Sequence, residues 1–359
     1  MMSFEILKKT GNYETSFILK DADVGFANAL RKVVLSEVPN IAVADNVAIS
    51  INTSSMHNEF MAKRITLIPL CFDEDEVENA AATVKLYKFL VDKRATTLNS
   101  EHFTTDDIVI QDMAGQVMPK EFHSKIFPHD PITKAPILIA WLKQGEHIKM
   151  EFTADVGIAG DHTKYSPVST CTYFNTLDDD KVEKERVKLG TISNKFETLD
   201  KYRLFKVNEY GEPTYFTFKI VSECRLSVSY IVDKALRVLQ DKMKSVPKKT
   251  TVDLISDNLY ALTVKGEGHT VGNFIHVFVY NHYVRHGKIV DFIGYFQPHP
   301  LENEIIIKVR FLENMDNVER FWDEATRLAG VHVENMRLLW SKAKLPTPKK
   351  TTKKKTTSN

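Results

Sequence analysis

Cysteine is scarce in this chain of 359 residues, and the placement of its few thiols excludes two common uses of the residue. Cys71, Cys171 and Cys224 stand far apart, and no CxxC pair occurs. A disulfide framework needs paired cysteines, and a structural zinc site needs clustered ligands. The sequence therefore predicts buried, reduced thiols, which are usual inside cells, and no thiolate zinc site.

Long hydrophobic runs are also missing. No stretch approaches the ~20 apolar residues of a membrane-spanning helix, and the amino-terminal residues contain no apolar run of signal-peptide length. Hydrophobic residues make up 43% of the chain and charged residues 26%, which is an ordinary balance for globular proteins. We expect a soluble, intracellular protein of two or three domains with no membrane segment.

A large net charge is absent, since the chain carries only +1 at pH 7. The charge is unevenly distributed, because residues 342–359 hold seven lysines and no acidic residue, which leaves the rest of the chain net acidic. An acidic body is a poor general binder of phosphate backbones. We expect the Lys-rich tail, 346–359, to be disordered. A stand-alone nucleic-acid-binding transcription factor that uses this basic tail is the alternative hypothesis for the whole chain.

Residues arranged for catalysis or metal binding are not found in the sequence. The acidic run Asp73–Glu78 has no glycine-rich phosphate loop beside it, which favours a solvated face or a docking surface for a basic partner. His282 and His286 have a spacing that can hold a metal on a helix, but no third ligand is near, which favours surface histidines. The sequence predicts a chain that is not catalytic by itself, with no catalytic residues and no cofactor.

The periodicity of apolar residues shows where the predicted secondary structure changes along the chain. Two strands and a helix ended by Pro39 open the sequence, and Ile41–Ile51 alternates as one further strand. Strand-like patches between loops then continue to about residue 210, which predicts an inserted β-rich domain. After it come a strand, Tyr215–Ser222, and an amphipathic helix. The segment around Pro247 has no apolar pattern and predicts a linker.

The last part of the chain resembles the first in its order of elements. A strand, a helix over Thr270–Val284, two strands and a long helix with a bend near Gly330 are predicted. Ala27–Arg31 and Gly272–His276 both place a small residue and an asparagine at a helix start, with apolar positions at matching offsets. The pattern predicts one supersecondary unit used twice, with an insertion in the first copy, although capped amphipathic helices also arise by chance.

Three motifs in the first half carry a family resemblance. Residues 28–39 (NALRKVVLSEVP) with 41–45 (IAVAD) resemble the first helix and strand of the bacterial RNA polymerase α subunit and of the third-largest subunit of archaeal and eukaryotic polymerases. Residues 62–70 (AKRITLIPL) are similar to the family segment HRIGLIPL, with Lys63 and Thr66 in place of its His and Gly. Residues 160–168 (GDHTKYSPV) are similar to the family loop HAKWSP.

Two motifs in the second half resemble a different subunit, the small α-like partner. They are residues 267–273 (EGHTVGN) and 294–302 (GYFQPHPLE). The five motifs occur in the family's order over most of residues 1–345. One chain with both halves resembles the fused subunit of asfarvirus-type cytoplasmic DNA viruses, which implies host cytoplasm and virion as locations.

The resemblance implies an α+β fold. Two α-subunit-type dimerisation modules, with helices on antiparallel sheets, would form an intramolecular pseudo-dimer, and a β-rich domain would be inserted in the first. The predicted boundaries are 1–71 and 211–245 for the first module, 72–210 for the insert, 246–251 for the linker, 252–345 for the second module and 346–359 for the tail.

The resemblance also implies a function as a non-catalytic assembly platform of a DNA-directed RNA polymerase. Such a chain binds the second-largest catalytic subunit, then the largest, together with small zinc-binding subunits, and reaches DNA or RNA only through the complex. Catalytic magnesium would belong to the largest subunit. The family's insert often carries a four-cysteine zinc cluster, but only Cys171 could fall there, so we expect no zinc in this chain.

Two sets of site residues follow from the resemblance. The predicted inter-module interface is Asn28, Leu30, Val33, Val34, Gly272, Asn273, Ile275, Phe278 and Val279. The predicted contacts with the large subunit are Arg31, Lys32, Arg64, Lys164, Tyr165 and Pro167. As alternatives, the apolar residues pack on their own module's sheet, the basic ones are solvated, and the loop residues form a structural turn.

Overall fold

The computed structural model describes residues 2–189, 194–223 and 225–343. Cys224 and the predicted tail, 346–359, lie outside the described residues. Helices packed on antiparallel sheets make up the described chain, and the predicted α+β class is confirmed. The buried residues form one continuous hydrophobic cluster that runs through both halves of the chain.

The first module opens with a hairpin and a capped helix. Its early elements are β1 (Ser3–Thr10), β2 (Glu14–Lys20), α1 (Val24–Ser36) and β3 (Asn40–Val43). Phe17 and Leu19 of β2 alternate inward. Asp23 caps α1, because its side chain accepts a hydrogen bond from the backbone N–H of Phe26 at 2.7 Å. The fold therefore follows the apolar periodicity of this segment closely.

The inserted domain follows β3. Its elements are β4 (Ala48–Asn52), α2 (Asn58–Thr66), α3 (Glu74–Glu78), α4 (Ala80–Thr83), β5 (Tyr87–Arg94), β6 (Glu101–Thr104), β7 (Ile108–Asp112), α5 (Lys120–Ile126), β8 (Leu138–Leu142), β9 (His147–Phe152) and β10 (Ala154–Gly157). Four strands form a sheet in the order β4-β9-β5-β7, and β6 pairs with β8. β10 returns to pair with β3, so the insert is tied to the first module.

The chain then completes the first module. Its later elements are β11 (Val168–Asn175), α6 (Asp179–Leu189), α7 (Asn194–Thr198), β12 (Phe216–Ser222) and α8 (Val228–Ser245). The sheet has the order β1-β2-β12-β11. α6 is rich in charged residues and buries none of them. The amphipathic helix predicted after Tyr215–Ser222 is confirmed as α8, whose buried residues are Val228, Ile231, Val232, Ala235, Leu236, Leu239 and Met243.

The second module repeats the arrangement of the first. Its elements are β13 (Thr250–Ser256), β14 (Leu259–Lys265), α9 (His269–Val279), β15 (Val290–Phe296), β16 (Glu304–Phe311) and α10 (Val318–Lys342). Its sheet order, β13-β14-β16-β15, matches β1-β2-β12-β11 strand for strand. The insert lies between α1 and β11, where the second module has only a π-helical turn, Tyr280–His286, after α9. The predicted internal repeat is confirmed.

The sheets correct three predicted boundaries. Ile41–Ile51 is not one strand, because β3 pairs with β10 whereas β4 pairs with β9 in the sheet of the insert. The predicted insert, 72–210, begins too late, since it leaves out β4, and it ends too late, since β11 pairs with β12 of the first module. Strand alternation along the sequence reveals a strand but not the sheet that it joins.

Two predicted breaks are also absent. Residues 246–251 are not a flexible linker, because Val246 is buried and β13 already begins at Thr250, whose hydroxyl accepts the indole N–H of Trp322 at 3.0 Å. α10 runs as one helix from Val318 to Lys342 without a break at Gly330, which lies close to α8. A Cβ built at Gly330 would lie 3.6 Å from the Cβ of Met243.

Candidate assembly interfaces

The first helices of the two modules pack against each other. The rings of Phe26 on α1 and Phe274 on α9 have centroids 6.0 Å apart. Gly25 permits this approach, since a Cβ built there would lie 3.1 Å from the Cβ of Val277. A side chain at this position would therefore crowd Val277, so glycine favours the close approach of the two helices.

The residues predicted at this interface have different environments. Leu30, Val33, Val34, Ile275, Phe278 and Val279 are all at most 4% exposed. Burial agrees with both the predicted interface and the alternative of packing on the module's own sheet, so their assignment stays a prediction. Gly272 faces its own sheet, because a Cβ there would lie 2.7 Å from the ring of Tyr295. Asn28 accepts hydrogen bonds from Arg31 on its own helix, and Asn273 is half-buried on α9.

The last helices of the two modules form a second contact. The indole N–H of Trp340 on α10 donates to the carbonyl of Ser229 on α8 at 3.1 Å, and its ring lies 5.2 Å from Phe4 and 5.0 Å from Phe17. Arg337 donates to Asp233 of α8 at 2.8 Å. Sequence analysis missed Trp340 because helical spacing alone does not identify which apolar residue crosses to another module.

A buried carboxylate joins the two modules and the chain between them. Glu267, which precedes α9, is 2% exposed and accepts hydrogen bonds from Lys242 of α8 at 2.9 Å and from Lys249 at 2.8 Å. Lys242 also pairs with Glu37 at the end of α1, at 2.8 Å. Burial lowers the pKa of Lys242, but the two carboxylates outweigh burial and raise it. The short connection is therefore held in place by ion pairs from both modules.

A second interface, which we call the docking surface, is formed by Lys32 on α1, by Phe60, Lys63, Arg64 and Leu67 on and after α2, and by the loop 158–166. The loop joins the two helices, because the backbone N–H of Gly160 donates to the carbonyl of Ser36 at 2.7 Å and the Nζ of Lys63 lies 3.0 Å from the Nε2 of His162. Three motifs far apart in sequence therefore meet on one side of the molecule.

α2 supplies most of the exposed side chains of the docking surface. Met61 and Ile65 face the core, whereas Phe60 is 72% and Leu67 49% exposed, with Arg64 exposed between them. Arg64 donates from Nη2 to the carbonyl of Leu138 at 3.0 Å, which fixes the guanidinium beside two apolar groups. Exposed aromatic and Arg side chains are enriched at protein contacts. Sequence analysis missed Phe60 and Leu67, although apolar residues on both faces of one short helix are a signal.

The loop residues predicted as partner contacts have mainly a structural role. Tyr165 is 7% exposed and Pro167 is buried, so neither side chain can contact a partner directly. A Cβ at Gly157 would lie 2.5 Å from the ring of Tyr165, so the ring fills the space above this glycine. The Lys164 side chain is 1% exposed; its ammonium bonds to Asp45 at 2.8 Å and thereby lowers the pKa of that carboxyl. The prediction of direct contact is wrong for these three side chains because all are turned inward.

The basic residues predicted on α1 differ in exposure. Arg31 is half-buried and bonded to Asn28 at 2.8 Å, close enough to Cys171 and Tyr173 of β11 to favour their ionised forms. Burial nevertheless raises the pKa of Cys171 to about 12. Lys32 is exposed. The exposed basic groups of the docking surface are therefore Lys32, Lys63 and Arg64, whereas Arg31 is half-buried and bonded within its own helix.

Several carboxylates of the acidic run pair with basic groups of the first module, although Asp75 and Glu78 remain exposed. Glu78 on α3 accepts hydrogen bonds from Lys234 at 2.9 Å and from Arg237 at 3.0 Å, both on α8. The bond from Lys234 is the main cause that lowers the pKa of Glu78. Glu74 accepts the N–H of Ser227 at the start of α8. The run thus fastens the insert to the first module.

Neither a metal centre nor a membrane segment is present in the described part of the chain. Over residues 2–189, 194–223 and 225–343, no group of three or more His, Cys, Asp or Glu side chains could hold a metal ion. Within the same ranges, the helices are too short or too polar to cross a bilayer. His282 instead packs on the ring of Phe278, with centroids 4.1 Å apart.

Comparison with known families gives two matches, one in each module. The family model described as the RNA polymerase Rpb3/Rpb11 dimerisation domain matches residues 16–243, and a second model of the same description matches residues 260–330. The first match runs from β2 into α8 and includes the insert, and the second runs from β14 to the middle of α10.

Individual proteins with similar sequences are polymerase subunits by name. The chain is 29% identical over 276 residues to subunit 3B of DNA-directed RNA polymerases IV and V of Arabidopsis thaliana, which covers 64% of this chain and 86% of that protein. It is 27% identical over 282 residues to subunit RPAC1 of RNA polymerases I and III of Saccharomyces cerevisiae, with 64% and 82% covered. It is 29% identical over 268 residues to subunit Rpo3 of Pyrococcus horikoshii, with 67% and 95% covered.

These relatives account for about two thirds of the chain, and the second family match accounts for most of the second module. The repeated sheet order and the contacts of α1 with α9 and of α8 with α10 place two such domains face to face in a single polypeptide. The chain therefore belongs to the RNA polymerase Rpb3/Rpb11 dimerisation-domain family, as a fused α-like subunit that carries both domains.

Proposed function

We propose that this chain is the non-catalytic assembly platform of a multi-subunit DNA-directed RNA polymerase and that its docking surface binds the second-largest catalytic subunit. The observation that carries the proposal is the exposed row of Phe60, Arg64 and Leu67 beside Lys32 and the loop 158–166. An aromatic side chain next to an arginine is the composition of an interface hot spot. The arginine fork can pair with a carboxylate of the partner.

The fused architecture supports an early role in assembly. Joining two modules in one chain makes their pairing intramolecular, so they pack before separate partners bind. In the proposal the second-largest subunit binds next, and the largest subunit and the small zinc-binding subunits follow. Magnesium and zinc belong to these partners, the present chain holds no zinc, and nucleic acid is contacted only through the complex.

Co-purification with the second-largest subunit tests the docking surface. Arg64→Glu reverses a charge, and Phe60→Ala removes an exposed ring without touching the buried stripe of α2. Each variant should weaken binding at least about tenfold, since an interface hot spot contributes 2 kcal/mol or more. Lys184→Glu on the exposed helix α6 is the matched control and should bind like wild type.

The outcome is informative only for folded variants, so each is compared with wild type by circular dichroism and melting temperature. Full binding by both folded variants would place the partner on another surface. Absence of binding by the folded wild-type chain to either large subunit would contradict the platform function itself. The double variant Arg31→Glu/Lys32→Glu tests the part of the docking surface on α1, and we expect it to lower stability as well because Arg31 is half-buried.

The alternative function, a stand-alone nucleic-acid-binding factor, depends on the basic tail. Deletion of residues 345–359 should leave assembly with the polymerase subunits intact if the platform proposal holds. Loss of all partner binding on deletion would favour the alternative.

We also propose that the polymerase is of the asfarvirus type and acts in the host cytoplasm and the virion. The fusion of both modules in one chain supports this. Detection of the chain in purified virions with the other subunits would test it, and detection only in uninfected cells would contradict it.

A further inference from the structure

The outer face of the second module's sheet exposes aromatic side chains. Ile293 on β15 is buried in the core, so Phe292, Gly294 and Phe296 lie on the opposite, outer face of the strand. Phe292 is 48% and Phe296 43% exposed. An antiparallel sheet that packs one face on a core usually presents polar residues on the other face. The two rings are therefore candidates for a contact with another molecule.

Local contacts hold both rings against the sheet. A Cβ built at Gly294 would lie 2.9 Å from the Cζ of Phe292, so the tip of this ring extends over the glycine. The Nζ of Lys308 on β16 lies 5.2 Å from the ring centroid of Phe296, and the half-buried Ile306 lies opposite Phe296 on the same strand. We call Phe292, Phe296, Ile306 and Lys308 the aromatic face. Side chains that are already held in place lose less entropy on binding than free ones.

Lys308 is the charge that the aromatic face leaves without a counterion. Arg310, further along β16, donates to Asp291 at 2.7 Å, and Glu304 lies opposite Lys265 of β14. Within the described residues, Lys308 pairs with no carboxylate and lies over a ring instead. Because complementary charges across an interface select the partner, the occupant of this face should carry a carboxylate beside apolar side chains.

The size of the outer face limits what covers it. Its four strands, each of seven or eight residues and about 4.8 Å apart, make a face of roughly 20 by 25 Å, or about 500 Å². A stable interface between two proteins buries about 800 Å² on each partner. A second copy of the chain would therefore bind weakly through this face alone, whereas a short peptide segment fits within the area.

Exposed rings beside a lysine also occur in sites that stack the bases of single-stranded nucleic acid. Such a site needs a positively charged groove that follows the phosphate backbone. Here Glu304 lies on the same side of β16 as Lys308, Asp291 lies next to Phe292, and residues 1–341 are net acidic. The charges therefore favour a peptide over a nucleic acid.

We propose that the aromatic face binds a short peptide segment of a partner protein that is both acidic and apolar. The apolar side chains of the segment pack on Phe292, Phe296 and Ile306, and a carboxylate pairs with Lys308. The chain then has two binding surfaces, the docking surface on the first module and its insert and the aromatic face on the second module. The test of the aromatic face requires no polymerase subunit.

Selection of random peptides displayed on phage, with the full chain as bait, tests the proposal. Phage that bind the double variant Phe292→Ser/Phe296→Ser are removed first, so the remaining peptides depend on the aromatic face. These peptides should combine Asp or Glu with apolar residues. In fluorescence anisotropy, the most enriched peptide should bind Phe296→Ser and Lys308→Glu at least about tenfold more weakly than wild type. Leu254→Ser, which removes a 66% exposed apolar residue from the edge strand β13, is the matched control and should bind like wild type.

Several results would overturn the proposal. They are the absence of any peptide after the removal step, enrichment of peptides without acidic residues, or full affinity of Lys308→Glu. Binding of an oligouridylate that the double variant loses would assign the face to single-stranded nucleic acid, and a dimer in sedimentation that the double variant loses would assign it to a second copy. If circular dichroism shows that the double variant is unfolded, Lys308→Glu replaces it in the removal step. Failure of the docking variants to affect co-purification would leave this result untouched.

Discussion

Replacement of Trp340 by alanine should weaken the packing between the last helices of the two modules and lower the free energy of unfolding. The indole is 5% exposed, lies 5.2 Å from Phe4 and 5.0 Å from Phe17, and donates to the carbonyl of Ser229. Truncation of a buried aromatic residue to alanine costs about 3–5 kcal/mol of unfolding free energy. With a urea slope of about 2–3 kcal/mol per molar, the unfolding midpoint should fall by about 1–2.5 M.

Urea unfolding followed by far-ultraviolet circular dichroism provides the assay, because this signal does not depend on the tryptophan that is removed. Leu338→Ala, on the same helix but at a position 48% exposed, is the matched control and should change the unfolding free energy by less than about 0.5 kcal/mol. The midpoint should not depend on protein concentration, because the two modules belong to one chain.

Two results would refute this reasoning. A loss below about 1 kcal/mol for Trp340→Ala would mean that the helix contact contributes little, since a buried aromatic truncation that costs so little falls outside the expected range. A midpoint that rises with protein concentration would mean that modules of different chains pair, which contradicts the intramolecular pseudo-dimer.

Three further predictions concern other contacts. Glu267→Gln should lower the unfolding free energy by about 1–3 kcal/mol in urea titrations, because it leaves Lys242 and Lys249 without their shared carboxylate and both are partly exposed; an unchanged midpoint would contradict a structural role for the ion pairs. Gly157→Ala should cost about 1–3 kcal/mol through the clash with Tyr165, again measured in urea, whereas alanine at the open position Gly268 should cost less. Burial lowers the pKa of His332 to about 4 in the folded chain, against about 6.5 when unfolded. The stability that the neutral His332 side chain contributes is therefore complete above pH 6.5 and is lost as the pH falls towards 4. Wild type should therefore lose more unfolding free energy than His332→Phe between pH 7 and 5, and equal losses would exclude His332 as the cause.

The repeated module could be predicted from the sequence because its signals are local. The stripe of α8 and the strand Glu304–Phe311 follow from the spacing of apolar residues, and Asp23 caps α1 as an N-cap residue should. The family motifs occur in short segments of this kind, so the resemblance could be recognised and was confirmed by both domain matches.

The candidate site was predicted only in part, because it depends on which side of each element faces solvent. Lys32 and Arg64 are exposed as predicted. Lys164 instead pairs with Asp45, and the ring of Tyr165 packs over Gly157. Phe60 was missed because an apolar residue in a helix is assigned to the core unless the packing partners are known.

The amino-acid sequence by itself determined the elements, the repeat and the family, since these depend on neighbours within a few residues of each other. Only the tertiary structure decided which strand joins which sheet, that Glu267 ties the two modules together, and which aromatic rings remain exposed. These features depend on groups brought together from distant segments. The free energy of such contacts depends on burial and distance, and neither can be inferred from the spacing of residues along the chain.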